Sequence, residues 1–355
     1  MENTTSKIAA KPVTIISGFL GAGKTSFLNE LIGTRKKSRP AIIENELGEE
    51  GIDGGLIVAP EGDIFELNSG CLCCSLNDDL IDLLGEMLER RDEFEELIIE
   101  TTGIADPAGV AQPFLAIPEI ARYFKLERVI CIVDAQLIGM QLEHTSEARK
   151  QIAFADIILI NKCDTADKAY LLMVKEILQN INPFARVFSG SRMSGYPIEK
   201  IMEINRSDFD NKLPEMEEKH HDTVTVRTEK HIHHHKHEEH HHHDKEHHHH
   251  DISSMSFVFD RPFNLDLFEH RLLIFLNFQA QDIYRVKGFI HVAGDNQKKV
   301  VQSVSNLLAI TPGTEWPIDE ERKSRIVFIG KNLQSKGLRN MLAQCLDKSY
   351  IHKGT

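Results

Sequence analysis

The chain has 355 residues, 41% hydrophobic and 27% charged, the balance of a globular protein with room for two or three domains. Its formal net charge of -13 excludes the basic surface needed for non-specific binding to nucleic acid or an anionic membrane. Residues 1–11 are polar, without the apolar core of a signal peptide, and no apolar run approaches a membrane span, so the expectation is a cytoplasmic protein.

In chain order, Val13-Thr14-Ile15-Ile16-Ser17 reads as a β-branched strand that runs into Gly18-Phe19-Leu20-Gly21-Ala22-Gly23-Lys24-Thr25. A Gly, four free positions and Gly-Lys-Thr make a phosphate-binding loop. Glycines let backbone N–H groups converge on a β-phosphate. Lys24 brings a mobile charge to the β- and γ-phosphates, and the Thr25 hydroxyl is a Mg²⁺ ligand. Phe27, Leu28, Leu31 and Ile32 recur at helical spacing, so a helix N-terminus faces the phosphates. The cradle comprises Gly18, Gly21, Ala22, Gly23, Lys24, Thr25 and Ser26.

A second strand spans 40–44 and enters an acidic, glycine-rich connection, where Glu44 and Glu46 are either switch residues or a solvated face. A third strand, 64–67, ends at Asn68-Ser69-Gly70 and is followed by Cys71-Leu72-Cys73-Cys74 and an amphipathic helix over 76–90. Three thiols in four residues of a reducing compartment point to a soft metal held by Cys71, Cys73 and Cys74, with one coordination position open. A Cys73–Cys74 redox pair and buried inert cysteines are the competing readings. Cys131, Cys163 and Cys345 are scattered and read as plain thiols.

The strand 95–100 closes on Glu100-Thr101-Thr102-Gly103. Glu100 is placed to reach Mg²⁺ through water, and the Gly103 N–H to reach the γ-phosphate. Ile104 stands where many small GTPases carry a water-orienting glutamine, so unaided hydrolysis is expected to be slow. Asp106-Pro107 and Gln112-Pro113 divide the next segment into a turn and a helix. A buried strand over 129–134, a polar helix over 143–154 and a strand over 157–160 then lead to Asn161-Lys162-Cys163-Asp164. Asp164 accepts from the N1–H and N2 amino group of guanine, Lys162 lies over the base, and Asn161 ties this loop to the phosphate loop. Residues 186–191 read as the last strand of a parallel sheet, with Ser189 and Gly190 behind the base, and a helix over 198–204 closes the domain.

Between His220 and His250 lie 15 of the 19 histidines, among Lys, Glu and Asp. The stretch has no apolar face and cannot pack. It is internal and mixed, unlike an expression tag; it reads as a reservoir of weak Zn²⁺, Ni²⁺ or Co²⁺ sites, or as a solvated linker. Beyond it, strands over 255–259, 282–292, 299–307 and 325–329 and helices over 265–278 and 333–345 form a small α+β domain with an antiparallel sheet. Trp316-Pro317 and Lys287-Gly288 read as loops for contact with a partner or the first domain, core packing being the other task for the tryptophan.

These residues resemble the CobW-like GTPases, the family that includes zinc-regulated GTPase metallochaperones. The likeness rests on Gly18 to Thr25, Glu44-Asn45-Glu46, Gly70-Cys71-Leu72-Cys73-Cys74, Glu100-Thr101-Thr102-Gly103, Asn161-Lys162-Cys163-Asp164, the His-rich insert and the strand at 325–330; Leu47 departs from the family's usual Phe. The resemblance implies GTP hydrolysis coupled to delivery of a transition metal, Zn²⁺ or else Co²⁺ or Ni²⁺, to a client metalloprotein, with Lys24, Thr25 and Glu100 at the catalytic centre. The expected organisation is an α/β P-loop domain with helices on both faces of a parallel sheet (1–210), a His-rich linker (211–253) and an α+β domain (254–355). A nickel or cobalt insertase, a passive metal buffer and a regulatory GTPase with an incidental His tract are the alternatives, and a homo-oligomer is left open.

Overall fold

A computed structural model describes residues 9–35, 38–44, 64–66, 76–205, 252–304, 306–317 and 321–349. Cys71, Cys73, Cys74, Glu46 and the His-rich stretch lie outside the described residues.

The first domain is a seven-stranded parallel sheet, β1 (Lys11–Ser17), β2 (Pro40–Glu44), β3 (Ile64–Glu66), β4 (Glu96–Glu100), β5 (Phe124–Asp134), β6 (Ile157–Asn161) and β7 (Arg186–Ser189), in the order 3-2-4-1-5-6-7. Its strands are near-continuous apolar runs because both faces are covered. On one face Ile16, Ile42, Ile98, Ile130, Ile132 and Leu159 pack beneath α1 (Lys24–Thr34), which contributes Phe27, Leu28 and Leu31. The alternate side chains Val13, Ile15, Ile43, Leu97 and Ile99 pack beneath α2 (Leu76–Glu89) and α3 (Pro107–Ala116) on the other. After the short α4 (Pro118–Tyr123), helices α5 (Ile138–His144), α6 (Ser146–Phe154) and α7 (Lys168–Ile181) extend that layer, and α8 (Ile198–Met202) returns to the α1 face.

Three local expectations change. The polar helix over 143–154 is two helices, because Thr145 is extended and starts α6 while its N–H closes α5 on Gln141 O at 2.9 Å. Pro113 lies inside α3 and does not break it: Val110, Ala111 and Phe114 are buried, and that packing outweighs the lost hydrogen bond. No element is expected between Asp164 and Arg186, yet α7 fills that interval, capped by Asp167 accepting from Tyr170 N at 2.9 Å and buried through Val174, Leu178 and Ile181.

The second domain is an antiparallel sheet of β8 (Ile252–Phe259), β9 (Ile283–Ile290), β10 (Gln297–Val304), β11 (Leu307–Glu315) and β12 (Ser324–Lys331), in the order 11-10-9-12-8. Helices α9 (Leu265–Phe278) and α10 (Ser335–Ala343) bury Phe268, Leu272, Leu276, Leu338 and Leu342 against it. The expected strand over 299–307 is a hairpin, since β11 follows β10 at the sheet edge, where Pro312 is tolerated. Lys287 and Gly288 are not in a loop but in the middle of β9; Lys287 is buried over the Phe184 ring of the first domain. A Cβ on Gly288 would sit 2.1 Å from Arg325 O on the neighbouring strand. Trp316 is buried edge-on against Phe289 and His291.

The two domains share an apolar seam of Ala153, Phe184, Val327 and Ile329, and Val304 joins the core of the first. Within the seam Arg285 of β9 pairs with Asp156 at 2.8 Å, both side chains being no more than 1% exposed. Ser254 of β8 donates to Asn180 O at 3.0 Å.

Candidate nucleotide-binding site

The site lies at the carboxyl ends of the parallel strands, where β1 gives way to a loop and α1. Gly18, Gly21 and Gly23 adopt φ of +145°, +74° and +95°, a region closed to most side chains. A Cβ at Gly18 would lie 2.2 Å from Ile132 O, and one at Gly23 2.3 Å from the Asn161 amide nitrogen. These two positions therefore require glycine for close approach as well as for conformation. No side chain caps the start of α1 and its first turn carries no acid, so its leading N–H groups are left for an anion. Ala22 is buried, whereas Ser26 is exposed on the first turn of α1.

Lys24 is buried at the same helix start, and burial pushes its pKa below the ordinary lysine value while Glu100 pulls it back up. The Thr25 hydroxyl donates to Glu100 Oε1 at 2.8 Å across the β1–β4 pair. Register explains the meeting: Ile16 is paired with Glu100, and Thr101 N donates to Ile16 O at 2.9 Å. A hydroxyl and a carboxylate this close form a hard oxygen pair suited to Mg²⁺. Glu44, Glu66 and Glu100 share one register line at the ends of β2, β3 and β4. Gly103 abuts the phosphate loop, where a Cβ would come within 2.6 Å of Leu20 N. The neighbouring Ile104 is 48% exposed.

The third part of the site is the loop after β6. Asn161 Nδ2 donates to Ala22 O at 2.8 Å, while its Oδ1 accepts from Lys162 N at 2.7 Å and from the Tyr196 hydroxyl at 3.0 Å. Lys162, in the left-handed region at φ 57°, turns back over the phosphate loop. Its Nζ donates to Gly21 O at 2.9 Å and meets Asp134 Oδ2 at 2.6 Å. Asp164 follows in a 3₁₀ turn (Cys163–Thr165) and is exposed to whatever enters. Behind it Gly190 O accepts from Cys163 N at 3.4 Å, and Ser189 is exposed. The structure thus brings together Gly18, Gly21, Ala22, Gly23, Lys24, Thr25, Ser26, Glu100, Gly103, Asn161, Lys162 and Asp164.

Sequence alone does not single out Asp134 or Tyr196. Asp134 carries a signal, an aspartate closing an apolar strand in register with Asn161. Its Oδ1 also accepts from Gln136 N at 2.8 Å, fixing the carboxylate under Lys162. Tyr196 carries none; its ring packs edge-on against Phe27 at 5.4 Å. Among the described residues no cluster of three or more His, Cys, Asp or Glu is arranged to hold a metal. Cys131 and Cys345 are buried, which pushes their thiols up to about 12 and about 11, so neither is a thiolate near neutrality. No described helix is long and apolar enough to cross a membrane.

Residues 12–189 match the family described as "CobW/HypB/UreG, nucleotide-binding domain", and residues 252–346 match the "Cobalamin synthesis protein cobW C-terminal domain". Among curated proteins the chain is similar to the zinc chaperone CobW of Pseudomonas aeruginosa, 31% identical over 96% of this chain and 92% of that one. It is also similar to the zinc chaperone YjiA of Escherichia coli, 31% identical over 93% of this chain and 97% of that one. The zinc-regulated GTPase metalloprotein activator 1 of Schizosaccharomyces pombe is 28% identical over 91% and 82%. Among solved structures, Zn(II)-bound YjiA GTPase from E. coli superposes with a TM-score of 0.65 at 24% identity, covering 96% of this chain and all of that one, a likeness of fold.

Proposed function

We propose, for a chain that belongs to the CobW/HypB/UreG family of nucleotide-binding proteins, the function of a GTP-hydrolysing metallochaperone. It holds Zn²⁺ on Cys71, Cys73 and Cys74 and releases it to a client protein as the bound nucleotide changes. The observation that carries the nucleotide half is the docking of the loop after β6 on the phosphate loop through Asn161–Ala22 and Lys162–Gly21. That docking leaves Asp164 exposed at the mouth, where its carboxylate accepts from the two guanine donors that adenine lacks. Lys24 and the N–H groups of the loop and α1 hold the β- and γ-phosphates. Thr25 and Glu100 would hold Mg²⁺, which supplies positive charge against the phosphate oxygens when bound. Water attacks the γ-phosphorus, its bond to the bridging oxygen breaks, and GDP and phosphate leave. With Ile104 where a water-orienting glutamine would stand, the step is slow unless a partner assists.

The metal half is supported by the three thiols in four residues and by the names of the relatives, two of them zinc chaperones. Placement supports the coupling. In sequence Cys71 comes five residues after Glu66, which ends β3 on the register line of Glu44 and Glu100. A useful switch needs a coupling of about 1–3 kcal/mol, or about 5–150-fold in metal affinity. Zn²⁺ affinity measured with GDP and with a non-hydrolysable GTP analogue, in protein lacking residues 231–250, tests it. A difference of that size, mirrored in nucleotide affinity with and without Zn²⁺, is expected. Equal affinities would leave a passive buffer.

A further inference from the structure

The turn at 101–105 is gripped from two sides. On one side Gly103 touches the backbone of Leu20 in the phosphate loop. On the other, Gln151 of α6, 1% exposed, donates from Nε2 to the carbonyls of Gly103 and Ala105, both at 3.1 Å. The trans peptide is planar, so with the Gly103 carbonyl turned onto α6 the Ile104 N–H is directed away from it. Lys150, the preceding residue, reaches Asp106 at 3.6 Å, just beyond the same turn.

α6 has nine residues, too few to be stable alone. Its carboxyl end is fixed by two groups. Asn182 of the first domain donates from Nδ2 to the carbonyls of Ile152, Ala153 and Ala155 at 2.8, 3.1 and 2.8 Å. The second group comes from the other domain. Arg285 of β9 donates to the carbonyls of Phe154 and Ala155 and, from Nη2, to Asp156 at 2.8 Å. Asp156 in turn accepts from Val129 N at 3.1 Å, which locks the pair to the central strand β5. The Arg285 guanidinium also lies over the Phe154 ring, 5.2 Å from its centroid. Hydrogen bonds and one nine-residue helix thus join the turn beside the phosphate loop to the sheet of the second domain.

We infer that Gln151 is a positioning residue for the γ-phosphate turn and that Arg285, from the C-terminal domain, anchors the helix that holds it. The inference rests on reading the site as a GTP site. It makes the C-terminal domain a determinant of GTP over GDP discrimination, since GDP has no γ-phosphate to meet the turn.

The full-length chain tests it, as wild type, as Gln151→Met and as the neutralised pair Asp156→Asn with Arg285→Met. Methionine keeps the length and volume of glutamine and removes both donors. Equilibrium binding of fluorescent GDP and of a fluorescent non-hydrolysable GTP analogue is read for each. Losing two ordinary hydrogen bonds to the turn is expected to lower the analogue-to-GDP affinity ratio about tenfold in Gln151→Met, with GDP affinity within about twofold of wild type. The neutralised pair is expected to lower the same ratio, and all three changes together to lower it no further than the larger effect, because both act through one helix. An unchanged ratio in Gln151→Met overturns the positioning role, and an unchanged ratio in the neutralised pair overturns the anchor. Loss of GDP and analogue binding in parallel also overturns a role selective for the γ-phosphate. Wild-type protein that binds neither nucleotide would instead remove the GTP site itself.

Discussion

Removing the Asn161 carboxamide tests whether the guanine loop and the phosphate loop act as one unit. Three hydrogen bonds converge on this 3% exposed side chain: to Ala22 O at 2.8 Å, from Lys162 N at 2.7 Å and from the Tyr196 hydroxyl at 3.0 Å. At about 1 kcal/mol net for each, Asn161→Ala forfeits about 3 kcal/mol, or about 150-fold if all of it falls on the nucleotide complex. Some of it falls on the fold instead, because the three bonds exist without nucleotide; about 30-fold weaker binding is the working figure. GDP and GTP must suffer alike, since the loops meet at the base and the β-phosphate rather than at the γ-phosphate. Asn161→Asp is the sharper variant. It keeps an acceptor for Lys162 N and Tyr196 but sets an oxygen against the Ala22 carbonyl, so its loss should exceed that of alanine. Displacement of fluorescent GDP and GTP, with a thermal melt to show that the fold persists, gives the numbers. Affinities within about threefold of wild type for both variants, or a loss confined to GTP, would refute the unit.

Two further outcomes are expected. Asp164→Asn replaces an acceptor with a donor opposite the guanine amino group, so GTP turnover should fall and xanthosine triphosphate turnover appear, because buried unpaired polar groups reject the wrong base strongly; comparable turnover of ATP and GTP by the wild type would remove the assignment. In the second domain, burial and then the Arg322 charge lower the His291 pKa from 6.5, so the unfolded chain takes up a proton that the folded chain refuses. The stability tied to His291 is therefore complete above about pH 6.5 and is lost as pH falls below it toward the lower folded value. Trp316, the only tryptophan, lies 5.8 Å from that ring and reports the transition. Its urea midpoint should fall between about pH 6.5 and about pH 5, and fall less in His291→Gln; equal falls would exclude His291 as the cause.

Much of the first domain is legible in the sequence because its signals are local. Glycines at fixed spacing, near-continuous apolar strands and carboxylates at strand ends each carry their meaning within ten residues. The misreadings have local causes too. α7 is readable from Val174, Leu178 and Ile181 with an aspartate cap, but Leu172, apolar and 69% exposed, blurs the period. Trp316 and Lys287 resist because burial next to Phe289 or over Phe184 depends on residues far along the chain. Within the site, the metal-binding expectation for Glu100 anticipates a carboxylate near Thr25, and β1–β4 register supplies it. Asp134, Gln151 and Tyr196 act by touching other site residues. No spacing rule announces such contacts.

The seam between the domains has a consequence for how the chain can be cut. Severing it within the His-rich stretch would leave each half with an apolar wound, Ala153 and Phe184 on one fragment and Val327 and Ile329 on the other. The first fragment would also carry Asp156 without its arginine, and the second Arg285 without its carboxylate and two carbonyls. Each charge would be rehydrated at a newly exposed face, so what is lost is the ion pair and the hydrogen bonds that hold the end of α6. Isolated domains of this protein are therefore poor reagents. The unit to dissect by mutation is the whole chain.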